Sequence, residues 1–367
     1  MFDRRFVQYF DWGLLGIMIL LGFIGISTLY SAVTAGEVNP QKILYIKQLA
    51  WFCAGLVLMV ISITFNYKLL DRWSMIIYAI CIILLISVLF FGKYVSGSRR
   101  WLLLGPISIQ PSEFAKISVI IALAGYYSKH AYTRGYTLRD LLNPLLLVSI
   151  PVLLIVRQPD LGTAGVIVLI AGSMTLFVKI EKRSLIYIVL SGMITVPLVW
   201  FFLKEYQKQR ILTFLSPDRD PLGTGYHIIQ SKIAIGSGTL FGKGYLKGTQ
   251  NALSFLPEQH TDFIFSVFAE EWGFVGSAII IILFLLLIIW GINIAYGCRD
   301  PFGIILAVGI SSMIFWHVFI NIGMVMGLMP VVGIPLPFVS YGGSSVATMM
   351  ICIGLLINVS MRRFMIE

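Results

Sequence analysis

Charged residues are scarce in this chain, and acidic residues are the scarcest of them. Only 12% of the 367 residues are charged, whereas 58% are hydrophobic. Soluble proteins carry about 25% charged residues, so the composition excludes an ordinary soluble enzyme, a coiled coil and a disordered chain. The 27 Lys and Arg outnumber the 17 Asp and Glu. This excess indicates contact with anionic headgroups or an anionic ligand, but the basic residues form no dense patch for nucleic acid.

Cysteines are also few. Cys53, Cys81 and Cys352 lie inside apolar runs and Cys298 lies in a short loop, so they predict no disulfide framework and no Cys-x-x-Cys metal site. The first apolar run, 12–33, is long enough to cross a membrane and follows basic residues. We therefore expect it to stay as the first helix rather than to be cleaved as an export signal.

Ten apolar runs approach the length of about 20 residues that spans a bilayer, and each is bounded by charges, Pro or Gly. They cover residues 12–33, 44–64, 73–91, 111–128, 141–156, 161–178, 184–203, 263–290, 302–326 and 339–360. The sequence therefore predicts an all-α polytopic integral membrane protein with ten transmembrane helices, which form one domain over residues 1–367.

The basic residues predict which side of the membrane each loop faces. An even number of spans puts both termini on the same side of the membrane. Thirteen Lys and Arg lie on that side, compared with seven in the short loops on the other side. The positive-inside rule therefore predicts that both termini are cytoplasmic. The one long loop, 204–261 between helices seven and eight, is then extracytoplasmic. Its segment 225–235 has the apolar spacing of a helix that lies on the membrane surface.

Two short motifs put charged residues at the outer starts of predicted helices. In 109–116, Pro111 suits the first helical position, and Glu113 and Lys116 share a face. They form either a helix-capping ion pair or a preset pair that holds Lys116 toward an anionic group. In 157–163, Asp160 opens an apolar helix. N-capping explains this aspartate, although it does not explain Arg157 at the same depth.

A third motif ends the long loop. Asp262 closes the segment 255–262 and leads directly into the eighth predicted span. In one interpretation it caps that helix. In the other, partial desolvation beside the outer leaflet raises the pKa of its carboxyl from about 3.9 toward the range of a general base. The residues alone leave both interpretations open.

Two stretches rich in glycine have different expected roles. The stretch 236–244 lacks the spacing of a phosphate-binding loop, so we expect a flexible turn over the membrane surface. The Pro- and Gly-rich stretch 327–345 lies at membrane depth, where its backbone must be buried in protein or line a cavity. His317 and Asn321, which precede it, are expected to form hydrogen bonds between helices.

Five motifs, in this order, resemble a known family. They are QPSEFAK (110–116), QPDLGT (158–163), GYHIIQSKIAIGSG (225–238), LPEQHTDFIF (256–265) and PLPFVSYGGSS (335–345). Together they closely resemble the shape, elongation, division and sporulation (SEDS) family. The segments 242–244 and 269–271 are similar to its elongation branch rather than its division branch, and Thr239 departs from the Gly that is common there.

The resemblance implies an activity and a set of site residues. The activity is that of a peptidoglycan glycosyltransferase, which polymerises lipid II at the outer face of the plasma membrane and works with a class B penicillin-binding protein, the transpeptidase. Asp262 matches the family's essential aspartate, and Arg210 matches a basic position in the long loop. Four positions match polar residues of the family's central cavity: Lys47, Glu113, Lys116 and Asp160.

The expected chemistry suits these residue types. Joining a sugar hydroxyl to an anomeric carbon that bears a lipid pyrophosphate needs a base for the hydroxyl and cations for the departing pyrophosphate. We expect Asp262 to be the base, with Lys47, Lys116 and Arg210 holding pyrophosphates and Glu113 orienting Lys116. The expected partners are lipid II, the lipid-linked glycan strand, the transpeptidase, the elongation machinery and membrane lipids.

Three alternatives stay open at this point. A divalent cation, Mg²⁺ or Mn²⁺, could share the pyrophosphate charge, but the sequence has no dedicated metal motif. The same basic cavity would suit a flippase that moves lipid II across the bilayer. A non-catalytic scaffold for the transpeptidase would leave Asp262 as a helix cap.

Overall fold

Helices dominate the structure. The computed structural model describes residues 9–34, 43–95, 98–105, 107–130, 135–202, 205–216, 223–252 and 260–363. The helices are α1 (Trp12–Thr34), α2 (Leu44–Thr64), α3 (Lys68–Phe91), α4 (Pro111–Lys129), α5 (Leu142–Arg157), α6 (Leu161–Phe177), α7 (Lys182–Phe202), α8 (Glu205–Leu215), α9 (Thr224–Ser237), α10 (Thr249–Ala252), α11 (Ile264–Gly297), α12 (Pro301–Val325) and α13 (Gly343–Arg362). Between α3 and α4 lie the strands β1 (Lys93–Val95), β2 (Ser98–Leu104) and β3 (Ile107–Ile109).

Six of the described helices are long and apolar enough to cross a membrane: α1, α2, α3, α11, α12 and α13. Two further apolar helices, α5 and α6, are shorter. Large apolar side chains such as Phe23 and Phe90 are mostly exposed on these helices, which suits lipid rather than water. Helices also cover each of the ten predicted ranges, with shifted ends. The count of ten crossings itself stays a prediction.

The all-α prediction misses one small sheet. Strand β1 pairs with β2, and β2 with β3, both antiparallel, so that Lys93 lies opposite Trp101 and Leu102 opposite Ile109. These strands are too short to cross a bilayer, because a spanning strand needs about 9–11 residues. Their pairing satisfies backbone groups of the 19-residue connection between α3 and α4. The sheet leads directly to Gln110, the residue that precedes α4.

Helices α4, α12 and α13 lie at the centre of the bundle. Helix α4 packs against α3, α6 and α12, and almost all of its residues are buried. In the most apolar part of α12, 72% of the residues are buried, and in α13 89%, compared with 22% in α2. Polar side chains on α4 and α12 are therefore enclosed by protein rather than by lipid, and their partners must be protein groups or ligands.

The long helix α11 is broken near its start. Gly273 has φ 65° and ψ −160°, a conformation in which only glycine is unstrained. The break separates residues 264–272, hereafter the half-helix, from the longer segment 274–297. The sequence predicts one continuous span over 263–290, because a single glycine inside an apolar run is compatible with a helix. The half-helix begins two residues after Asp262 and is an element of its own.

Segments of the loop 204–261 pack onto this break. Helix α9 confirms the helix predicted at 225–235 and packs against α11. The stretch 236–244 is not the flexible surface turn expected from its glycines. A Cβ on Gly242 would lie 2.0 Å from the carbonyl oxygen of Glu271, so glycine is required there for close backbone contact with α11.

Candidate active site

A buried ion pair lies at the start of helix α4. Gln110 is the N-cap residue and Pro111 the first helical residue, so Glu113 falls in the first turn, where the helix dipole favours an anion. Lys116 follows on the same face, and its Nζ lies 2.7 Å from Glu113 Oε1. The side chains of Lys116 and Glu113 are only 2% and 4% exposed. Their burial requires a close partner for each charge, because desolvating an ion is costly.

His317 of α12 completes this cluster. Its Nε2 lies 2.8 Å from Lys116 Nζ, and its Nδ1 lies 2.8 Å from the carbonyl oxygen of Met313. An ammonium group only donates, so Nε2 accepts while Nδ1 carries the proton, and the imidazole is neutral. Glu113 and His317 accept from two of the three N–H groups of Lys116, and no described residue accepts from the third. Lys116 can therefore donate to an anionic ligand group.

Asn321 connects the next turn of α12 to Asp262. Its Nδ2 donates to the backbone carbonyl oxygen of Asp262 at 3.1 Å and to that of Ile334 at 2.7 Å. Asn321 is fully buried, as is His317. The two residues are four positions apart and so share a face of the helix. One face of α12 therefore holds both the Lys116 ammonium group and the backbone of Asp262.

The connection between α12 and α13 is bonded to the residues just before α11. Ser340 Oγ donates to the carbonyl oxygen of Thr261 at 2.7 Å, and the amide of Tyr341 donates to that of His260 at 3.0 Å. Gln48 of α2 donates to the carbonyl oxygen of Ser340 at 3.1 Å. The Pro- and Gly-rich backbone thus finds its partners within the protein, as its depth requires.

Two glycines bring Asp262 and the start of α6 to this same connection. A Cβ on Gly333, whose φ is +74°, would lie 3.3 Å from Asp262 Oδ2. A Cβ on Gly162 would lie 2.4 Å from the carbonyl oxygen of Val332. Val332 and Gly333 of the connection therefore lie between the first turn of α6 and the Asp262 carboxylate.

Asp160 caps helix α6. Its Oδ1 accepts from the amide of Thr163 at 3.2 Å and its Oδ2 from Thr163 Oγ1 at 3.0 Å, which confirms the capping interpretation. The same carboxylate accepts from Gln110 Nε2 at 3.3 Å and lies 3.7 Å from Arg100 Nη1. Arg157, by contrast, is exposed. Through Gln110, Asp160 is joined to the start of α4 and its ion pair.

The remaining expected site residues differ in their surroundings. The N-cap residue of α11 is Phe263 rather than Asp262, and Phe263 makes no side-chain cap hydrogen bond. Lys47 is exposed on α2 and Arg210 is half-buried on α8, and neither forms an ion pair with a described residue. The structure therefore joins Glu113, Lys116, Asp160 and Asp262 through shared neighbours, and leaves Lys47 and Arg210 outside that network. Residues 253–259, which carry the start of the motif that ends at Asp262, lie outside the described residues.

The described residues do not fit a dedicated metal site. Among them, no three side chains of His, Cys, Asp or Glu come together as ligands. Asp160 uses its two oxygens for the α6 cap and Gln110, and Glu113 is paired with Lys116. A hard divalent cation prefers several free oxygen ligands in one place, which this set does not supply.

Four residues carry contacts whose importance the sequence does not reveal. His317 and Asn321 are expected only to join helices, and the sequence does not indicate that their partners are Lys116 and Asp262. Arg100 and Gln110 are unexpected as partners of Asp160. The one available signal is the i, i+4 spacing of His and Asn in an otherwise apolar helix, since polar groups at membrane depth mark functional positions.

Together the fold and the site define a multi-pass membrane protein with an enclosed group of charged and polar side chains at the starts of α4, α6 and α11. The sequence profile of the cell cycle protein family that comprises FtsW, RodA and SpoVE matches residues 9–364. The chain therefore belongs to this family, which confirms the resemblance of its motifs.

Named relatives extend over nearly the whole chain. MrdB of Escherichia coli (strain K12), a peptidoglycan glycosyltransferase, is 42% identical over 354 residues, which are 96% of this chain and 94% of MrdB. RodA of Treponema pallidum (strain Nichols), also a peptidoglycan glycosyltransferase, is 35% identical and covers 98% of this chain and 99% of its own length.

Solved structures agree with the fold. A chain from a peptidoglycan synthase complex that coordinates polymerization and crosslinking has a TM-score of 0.82 at 31% identity, with 97% of this chain and 98% of that chain covered. Thermus thermophilus RodA has a TM-score of 0.72 at 28% identity, with 97% of this chain and 98% of that chain covered.

Proposed function

We propose that the chain is a peptidoglycan glycosyltransferase that polymerises lipid II at the outer face of the plasma membrane during cell elongation. The observation that carries this proposal is the face of α12, where His317 bonds the Lys116 ammonium group and Asn321 bonds the Asp262 backbone. A cation and a carboxylate held through one helix are what a transfer that releases pyrophosphate requires. The named relatives of the chain are peptidoglycan glycosyltransferases along almost its whole length.

The proposed reaction is a single displacement with inversion. Asp262 takes the proton from the 4-hydroxyl of the acceptor sugar as the hydroxyl oxygen attacks the anomeric carbon of the donor. The bond from that carbon to the pyrophosphate oxygen breaks, and polyprenyl pyrophosphate leaves with the electron pair. The third N–H group of Lys116 donates to this leaving group, while Glu113 and His317 orient the ammonium group.

The other expected residues have supporting roles in this proposal. Lys47 and Arg210 lie on other elements, α2 and α8, and would attract the pyrophosphates of incoming lipid substrates. Asp160 holds the start of α6 against Gln110 and α4, and so shapes the boundary of the site. Together with Lys116, the two basic side chains Lys47 and Arg210 would meet the pyrophosphate charge.

The proposal includes the finer architecture expected from the sequence. One domain over 1–367 would cross the plasma membrane ten times, with both termini in the cytoplasm and the loop 204–261 outside. A class B penicillin-binding protein would be the partner that crosslinks the product. This partner is supported by the similarity to a chain from a synthase complex that coordinates polymerization with crosslinking.

One assay distinguishes the proposed polymerisation from the flippase and scaffold alternatives. The purified protein is supplied with labelled lipid II and scored for glycan strands, and Asp262→Asn keeps the shape of the side chain but removes its basicity. We expect strands from the wild type and almost none from Asp262→Asn. The matched control is Asp71→Asn, which makes the same change at a carboxylate of α3 that pairs with Lys129 and is 30% exposed, and it should polymerise normally.

The other outcomes would each exclude the proposal. Substantial polymerisation by Asp262→Asn would exclude this residue as the base. Leaflet exchange of lipid II without strands would favour a flippase, and neither activity would favour a scaffold. The topology has its own test in a cysteine-free background, where an impermeant thiol reagent applied to intact cells should label Lys208→Cys but not Arg299→Cys.

A further inference from the structure

The break in α11 leaves backbone groups that the helix itself cannot pair. The half-helix ends at Gly273, so carbonyl groups before the break and amides after it lose their partners along the helix. Segment 239–244 of the outer loop supplies these partners. Four backbone hydrogen bonds join them: Lys243 N to Glu270 O, Gly244 N to Glu271 O, Phe274 N to Thr239 O, and Val275 N to Leu240 O.

Close packing and a polar contact from α9 reinforce this junction. A Cβ on Gly238 would lie 2.2 Å from the carbonyl oxygen of Ala269, so the loop backbone lies directly against the half-helix. Ser231 of α9 lies 2.9 Å from Ser266 of the half-helix, oxygen to oxygen. The outer loop and the half-helix are therefore packed as one unit, with Asp262 at its end.

One buried carboxylate oxygen adds side-chain bonds to this unit. Glu270 is fully buried, and its Oε1 lies 2.6 Å from Lys243 Nζ. The same oxygen accepts from the amide and hydroxyl of Thr249, at 2.9 and 3.0 Å, and from the amide of Gln250 at 3.1 Å. Lys243 Nζ also donates to Thr249 Oγ1 at 2.7 Å. Charge-assisted hydrogen bonds of this kind are stronger than those between neutral groups.

We propose that Lys243 and Glu270 are positioning residues, which lock the outer loop to the half-helix and so fix the position of Asp262 for turnover. Neither residue touches the reacting atoms. They act through the half-helix, whose first turn follows Asp262, and through the break at Gly273, which separates the half-helix from the membrane-spanning remainder of α11. The effect on turnover rests on the proposed function, whereas the effect on the half-helix does not.

The test uses Lys243→Met in the full-length protein, with hydrogen exchange and polymerisation measured on the same preparation. Loss of the lock should speed amide exchange in residues 262–271 by about tenfold, while residues 276–297 beyond the break stay protected. The kcat for polymerisation should fall by about fivefold with KM unchanged, because the base is less well positioned rather than the substrate less well bound. Lys243→Arg, which keeps a charged donor, should restore both properties.

Two further variants separate positioning from charge burial and from general effects on the loop. Lys247→Met removes an exposed lysine of the same loop and should leave exchange and kcat at wild-type values. Lys243→Met combined with Glu270→Gln removes both charges, so no unpaired ion stays buried, and should still show faster exchange of the half-helix and a lowered kcat.

Any one of three results would overturn the proposal that Lys243 and Glu270 position Asp262. These are faster exchange confined to residues 243–250, an unchanged kcat in a well-inserted Lys243→Met protein, or wild-type behaviour of the double variant. If the wild type fails to polymerise lipid II, the proposed function fails, and the exchange data alone then decide whether Lys243 and Glu270 hold the half-helix.

Discussion

The ion pair between Lys116 and Glu113 can be tested by removing one charge and then both. At 2.7 Å, with an effective dielectric constant of about 20, two unit charges attract by about 6 kcal/mol. That attraction is offset largely by the desolvation of two ions whose side chains are 2% and 4% exposed. The pair as a whole therefore contributes little net stability, but each charge depends strongly on the other.

Lys116→Met should accordingly destabilise the protein. It leaves the Glu113 carboxylate buried without a countercharge, which costs about 3–5 kcal/mol. Thermal unfolding of the purified protein should show this as a lowered midpoint, together with loss of polymerisation. Lys129→Met is the matched control on the same helix. Its ion pair with Asp71 is far more exposed than that of Lys116, with side chains at 54% and 30%, so its loss should cost no more than about 1 kcal/mol.

The double change Lys116→Met with Glu113→Leu separates stability from activity. Replacing a buried ion pair by apolar side chains is often neutral or stabilising, by up to about 4 kcal/mol, so the double variant should regain most of the lost stability. It should not regain polymerisation, because the proposed donor to the pyrophosphate, Lys116, is absent. Equal destabilisation by Lys116→Met and Lys129→Met would refute the burial argument. An active double variant would refute the role of Lys116.

Three further changes probe the surroundings of the site. Asn321→Ala takes the donor from two buried carbonyl groups, at about 1–3 kcal/mol each, and should lower kcat more than it changes KM; initial rates against lipid II concentration check this, and an unaltered kcat contradicts it. Gly242→Ala should lower the unfolding midpoint, because its φ is +79° and its Cβ would meet a carbonyl oxygen of α11 at 2.0 Å, whereas Gly236→Ala has open space and should not. Arg100→Gln releases the turn before α6 and should reduce kcat without preventing membrane insertion, which fractionation and the polymerisation assay measure together.

The helices were predictable because lipid imposes a simple rule on sequence. An apolar run near 20 residues must be helical to satisfy its own backbone, and helices cover all ten such runs. The sheet at 93–109 and the break at Gly273 do not follow from that rule. The strands are too short to show a clear alternation, and a glycine inside an apolar run is compatible with a continuous helix until a second segment, here 239–244, pairs with the exposed backbone.

The site was predictable only where motif and local spacing coincide. Glu113 and Lys116 share a helix face, and Asp160 caps the helix that it precedes, so three residues of chain suffice for each inference. The contact of His317 with Lys116 joins residues 201 positions apart, and that of Asn321 with Asp262 joins residues 59 apart. Such contacts depend on how the helices pack, which periodicity along one helix does not determine.

The scarcity of acidic residues has a structural reason in this bundle. An enclosed carboxylate must collect donors, and donors at membrane depth come from distant segments, so each acid fixes several elements together. Glu270, which is fully buried, accepts from the amide of Thr249 in the loop 204–261. Asp262 is also fixed through its backbone, because Asn321 donates to its carbonyl oxygen. This bond gives Asp262 a defined position, which a residue that acts as a general base requires.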